Sequence, residues 1–112
     1  MGKLSLADQL RESVDFDRGE GGQRQDFHFP NHSGMLYVEG ALEWMGDNAV
    51  KIGIMWGAHS DAMIFSNDTA LTVFADGTKY LESVDDFPRS MIRSGPSVCI
   101  WAHKNGVKIS RK

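Results

Sequence analysis

"MLYVEGALEWMGDNAVKIGIMWGAHSDAMIF", residues 35–65, decides how the chain is read. Its apolar residues recur at every second position. Leu36, Val38, Leu42 and Trp44 fall on one face of an extended chain, with Tyr37, Glu39, Ala41 and Glu43 on the other. After Gly46-Asp47-Asn48 turns the chain, the pattern repeats with Val50, Ile52, Ile54 and Trp56 inward. A strand with one dry face and one wet face belongs to an antiparallel sheet. "AMIF" then resumes an apolar extended run, which places His59, Ser60 and Asp61 at a hairpin tip.

His59-Ser60-Asp61 has the composition of a nucleophile, a base and its orienter, but those three groups must converge in space. Neighbouring side chains on extended backbone diverge instead. The triplet therefore reads as a polar turn in which Ser60 and Asp61 bond to local backbone and His59 is exposed.

Towards the C-terminus, "TALTVFADGTKYLES" (69–83) reads as a second hairpin, with Asp76-Gly77 as a two-residue type I′ turn. "DDFPRSMIRSG" (85–95) breaks the alternation. It is expected to form a short helix with Met91 and Ile92 as its apolar stripe, stopped by Gly95-Pro96. "SVCIWAHKNGVKISRK" (97–112) closes the chain as a hairpin around Asn105-Gly106. That loop sets His103 across from Lys108, Trp101 from Ser110 and Cys99 from Lys112. Val98, Ile100, Ala102, Val107 and Ile109 then share a core face. Trp101, His103, Lys108 and Lys112 share the other, with Lys104 at the tip.

Towards the N-terminus, "SLADQLRES" (5–13) reads as a helix, with Ser5 and Asp8 approximating a capping box and Leu6 and Leu10 on one face. Residues 17–34 form a loop-rich connection that holds one short strand, "DFHF" (26–29), ended by Pro30. The expected fold is a single α+β domain over residues 1–112. It would be a compact antiparallel sheet or small open barrel of about five to seven short strands, with an N-terminal helix and one short helix before the C-terminal hairpin. By element order alone this is compatible with an OB-like or SH3-like barrel.

A chain of 112 residues supports one core, and 41% hydrophobic with 24% charged residues is globular and not disordered usage. No apolar run reaches the roughly 20 residues of a membrane span, and the first residues lack the apolar stretch of a secretory leader. Cys99 is the one cysteine, which excludes an internal disulfide and a cysteine-based zinc site and points to a reducing, cytoplasmic compartment. Charge is uneven along the chain. Residues 35–88 hold nine acids against Lys51 and Lys79, while residues 89–112 hold six basic residues and no acid.

Three functions are compatible with these patterns. The leading expectation is a non-enzymatic binding protein acting through a protein–protein interface, in the manner of small acidic bacterial or phage accessory, inhibitor or immunity proteins. Its expected binding surface is Trp101, His103, Lys104, Lys108 and Lys112, a rigid aromatic plate among cations. The alternative is a small nucleic-acid-binding barrel using the same basic hairpin, against which the net charge of −3 weighs. The second alternative is a small hydrolase or metal-dependent enzyme using His28, His32, His59 and Asp61. Pro30 prevents His28 and His32 from sharing a helical face, so such a site needs distant loops to meet. Cys99 reads as a buried, inert thiol. Trp44 and Trp56 read as core. Met35, Met45 and Met55 read as outward-facing, and an apolar outer face calls for a cover or a second subunit; a homodimer is therefore expected. No cofactor and no membrane partner are expected.

Overall fold

The alternation that begins near Met35 is realised as strand pairing, and strands recur among the described residues from Glu12 to Arg111. The computed structural model describes residues 11–19, 23–31, 34–88 and 95–112. They form nine strands: β1 (Glu12–Asp17), β2 (Arg24–Phe29), β3 (Val38–Trp44), β4 (Ala49–Trp56), β5 (His59–Ser66), β6 (Thr69–Phe74), β7 (Lys79–Ser83), β8 (Ser97–His103) and β9 (Gly106–Arg111). A five-stranded sheet has the order β1-β9-β8-β6-β7 and a four-stranded sheet the order β2-β3-β4-β5. Every neighbouring pair is antiparallel.

The expected α+β class is thereby corrected to an all-β sandwich, with no helix among the described residues. Glu12 and Ser13, assigned to the N-terminal helix, are the first residues of β1, and residues 5–10 lie outside the described residues. "ESVDFD" itself has period two, with Val14 and Phe16 on one face and Ser13, Asp15 and Asp17 on the other. Pairing with β9 along all six residues bonds the side of β1 that faces the sheet and buries Val14 and Phe16 against the core. The expected short helix also fails where it can be seen: Asp86, Phe87 and Pro88 are not helical, and residues 89–94 lie outside the described residues. A single sheet or barrel gives way to two layers because each sheet has one apolar face to bury. No helix of the described residues is long and apolar enough to cross a membrane.

The core lies between the layers. Trp56, Leu42, Ile52 and Phe65 come from the four-stranded sheet, and Ile100, Ile109, Val73 and Val98 from the five-stranded one. Trp56 is core, as the sequence implies, whereas Trp44 is only half-buried, under the Arg18 guanidinium 4.7 Å from its ring.

An arginine closes each end of the sandwich. At one end Arg18 donates to the carbonyls of Gly46, Ala49, His103 and Lys104 and to Asn67 Oδ1, tying β1 to three turns. At the other end Arg111 has no exposed surface. It donates to the carbonyls of Pro30 (2.7 Å) and Leu36 (2.8 Å), pairs with the Glu12 carboxylate and lies over the Phe29 ring. These bonds join strands of both sheets.

Two turns differ from their expected form. The β8–β9 loop is Lys104-Asn105, and His103 pairs with Gly106, so the register is Trp101↔Lys108 and Cys99↔Ser110. This is a shift of two residues from the expected pairing, which leaves every side chain on its assigned face. Gly106 belongs to the strand because β1 passes so close that a Cβ there would lie 1.9 Å from the Phe16 carbonyl oxygen. The β6–β7 loop runs from Ala75 to Thr78, four residues where two were expected, and the Asp76 carboxylate accepts from the Thr78 amide at 2.9 Å.

Candidate functional site

The two sheets present very different outer faces. On the five-stranded sheet, Ala70, Thr72, Cys99 and Ser110 point away from the core yet have no exposed surface. Val84 and Phe87, from the segment after β7, pack on Ala70, Cys99 and Trp101. Phe87 meets Trp101 edge-on at 6.3 Å, and the Lys108 ammonium lies 5.5 Å from the Phe87 ring centre.

The expected binding surface is on this covered face. Trp101 and His103 stack at 4.3 Å, as residues two apart on one strand face can. His103 Nδ1 accepts from the Asn105 amide, and burial together with the nearby Arg18 cation holds the imidazole below its usual pKa, hence neutral at neutral pH. Lys108 lies 3.8 Å from Asp15 on the adjoining strand β1. Lys104 is at the turn, whereas Lys112 follows the far end of β9 beside Ser97. Trp101, His103 and Lys108 are thus brought together, while Lys104 and Lys112 sit at opposite ends of the hairpin. Two of the basic residues of this segment meet acids of β1: Lys108 lies by Asp15 and Arg111 pairs with Glu12.

His59, Ser60 and Asp61 do belong to a hairpin, but its turn is Gly57-Ala58 and all three begin β5. His59 and Asp61 share a face and Ser60 takes the opposite one, so no triad forms. His59 stacks on Trp56 at 5.6 Å. The Asp61 carboxylate accepts from Lys79 Nζ at 2.5 Å and from the Ala62 amide at 2.9 Å, and these bonds, Lys79 first, hold it below the usual carboxylate range. His28 is on the outer face of β2, its ring 5.9 Å from that of Tyr37, so it does not meet His59. His32 lies outside the described residues. No group of three metal-ligating side chains forms among the described residues.

Among the described residues nothing covers the outer face of the four-stranded sheet, which is shaped as an open trough of about 980 Å³. Its floor is a row of small residues set side by side by the register, Ala41, Gly53 and Ala62, ending at Asp26 on β2. One wall is Arg24, Glu43, Lys51 and Ile64; the other is His28, Glu39, Met55 and Ser60. Gly40 allows the curvature: a Cβ there would lie 2.1 Å from the Gly53 carbonyl oxygen and 2.8 Å from the Phe27 ring. Arg24 and Asp26 form an exposed pair at 3.4 Å. A hydrogen bond to Glu39, then desolvation, then that carboxylate's charge raise the Tyr37 phenol pKa. Met55 is 45% and Ile64 60% exposed.

Of the methionines expected to face outward, Met45 and Met55 do, while Met35 Sδ lies 4.0 Å from the Arg111 guanidinium. The trough escaped sequence reading as a site. Glu39, Ala41 and Glu43 are legible as a wet face, but only strand register shows that Ala41, Gly53 and Ala62 line up across it.

Compared with known protein families, curated proteins and solved structures, the chain matches none.

Proposed function

We propose that the protein is a non-enzymatic binding module that takes a protein partner on the open face of its four-stranded sheet. The observation that carries this reading is the contrast between the two outer faces. One is covered over Ala70 and Cys99 by Val84, Phe87 and Trp101, with Tyr80 exposed at its margin; the other is uncovered among the described residues and exposes Met55 and Ile64 among charges of both signs. Exposed apolar side chains rimmed by polar ones mark interaction surfaces. Arg24 and Lys51 stand among Asp26, Glu39 and Glu43, a mixed pattern that complements a protein surface and would repel a phosphate backbone as much as attract it. Tyrosine and tryptophan do not line the trough, which leaves a sugar ring without a stacking platform there.

Photo-crosslinking in extracts of the source organism tests this. A crosslinking amino acid at Met55 should give a reproducible protein adduct that the charge reversals Lys51→Glu and Glu43→Lys suppress. The same amino acid at Ser13, on the other sheet, should not. Equal labelling from both positions, or an adduct indifferent to the reversals, would remove the reading.

A further inference from the structure

The sandwich is one strand short on one side. Five strands face four, and β7 is the strand left over. Leu71 and Leu81 are paired neighbours on the inner face of the five-stranded sheet, yet Leu71 is 3% and Leu81 59% exposed. Lys79, on the same face, reaches sideways to Asp61 of β5 and to within 5.9 Å of the Trp56 ring centre. β7 therefore projects past β5, and its inner face forms a ledge alongside the β5 edge. Leu81 is exposed on the ledge, Met63 is half-buried on the neighbouring inner face of β5, and the Lys79–Asp61 pair links the two strands.

Among the described residues, the β5 edge carries the least of the usual protection against strand addition. β1 presents Asp15 and Asp17, β2 presents Arg24 and Asp26, and the short β7 presents Lys79 and Glu82. Charges and brevity of this kind discourage pairing. β5 runs for eight residues, and its one acid, Asp61, is turned inwards to Lys79. The Asn67 amide bonds back to the Asn48 carbonyl beyond β4, and the Ala62 amide is met only by the Asp61 side chain. By strand alternation, Ser60, Ala62, Ile64 and Ser66 direct their backbone N–H and C=O groups away from β4.

We infer that this ledge is a strand-addition site for an extended segment of a partner protein, which completes the four-stranded sheet. The outward N–H and C=O groups of β5 call for an extended backbone, which a helix cannot offer because its own groups are bonded internally. The occupant needs an apolar side chain over Leu81 and Met63, small side chains beside Ala62 and Ile64, and no charge at its centre. Its carbonyl takes over the Ala62 amide, and the Asp61 carboxylate keeps its bond to Lys79. Main-chain bonds supply affinity in this mode and the alternate side chains supply selectivity. A second copy's β5 is a poor occupant, because β7 of each copy projects past β5 and the two would collide before the edges met. The site borders the open trough, which shares Ser60 and Ala62 with it, but it uses the β5 backbone edge and the inner face of β7 and does not require the open-face reading.

Amide exchange and chemical-shift mapping on the full chain test the site, with a synthetic peptide of alternating valine and threonine, lysines at both ends, as the probe. At millimolar peptide, exchange at Ser60, Ala62, Ile64 and Ser66 should slow about tenfold or more, as newly bonded amides do. Ala62→Pro and Leu81→Lys should each abolish the effect. Leu81 is exposed, so its variant keeps the fold and decides the question even where the proline variant does not. Three outcomes overturn the proposal: unchanged exchange at those amides, shifts confined to Glu43, Lys51 and Met55, or the same protection without peptide in a concentration-dependent dimer. The second would leave the open-face reading standing, and the third would make a second copy the occupant.

Discussion

Arg111 shows how one side chain can join two layers. Its side chain has no exposed surface, and the guanidinium donates to one carboxylate and two carbonyls. Replacing it with leucine leaves Glu12 without its cation and two carbonyls short of a donor. Glu12 remains partly in solvent, which softens the loss, so Arg111→Leu should cost about 2–4 kcal/mol in urea unfolding. A change below about 1 kcal/mol would mean that water replaces the guanidinium without penalty. Cys99 makes the opposite case. Burial pushes its thiol up to about 11, so iodoacetamide should not label the folded protein at pH 8 and should label it in urea. The linkage follows from the direction of that shift. Between the ordinary thiol value of 9.0 and about 11 the folded state holds the proton that the unfolded state has lost, so stability falls as pH rises through this window. Cys99→Ala should flatten that slope, and a slope equal to that of the parent would contradict the assignment.

At the scale of elements, the C-terminal hairpin organises the five-stranded sheet. β9 lies between β8 and β1, and Gly106 is where all three come closest. A methyl group at Gly106 would force β1 away from its carbonyl contact. Gly106→Ala should therefore destabilise by about 1–3 kcal/mol, the usual cost of overpacking, and raise amide exchange in β1 more than in β4. Uniform exchange across both sheets would show that β1 does not yield separately. The same hairpin explains what an Asn-Gly signal does and does not settle. It correctly marks the reversal, but the loop moves to Lys104-Asn105 because Gly106 is required in the ladder. Faces survive the error because the displacement is even.

For the whole molecule, almost every contact that closes the sandwich is distant in sequence. β1 pairs with β9, and the two arginine clusters span most of the chain. Loop closure must precede the pairing it permits, so refolding from urea should be slow for this size, on the order of milliseconds to seconds. A microsecond phase carrying the full amplitude would point to a nucleus built on local hairpins alone. β2–β5 form such a local series, a meander, and Arg111→Leu should leave its hairpins intact while weakening the docking between sheets.

What the sequence determined by itself is local. The alternation in residues 35–65 specified β3 and β4 and their inner faces, Phe27 and Phe29 specified β2, and the β6–β7 and β8–β9 reversals were marked by Asp-Gly and Asn-Gly. These features depend on neighbours within a few positions, where side-chain period and turn chemistry act directly. The tertiary structure decided the rest. It turned Glu12 and Ser13 from helix to strand because β9 offered a partner along all six residues of β1, and it set Glu12 against Arg111 and Asp15 by Lys108. It also placed Ala41, Gly53 and Ala62 in one row and left Leu81 bare beside β5. Both candidate surfaces arise from register and from the unequal number of strands in two layers. Those properties belong to pairs of distant segments, and no single stretch of sequence carries them.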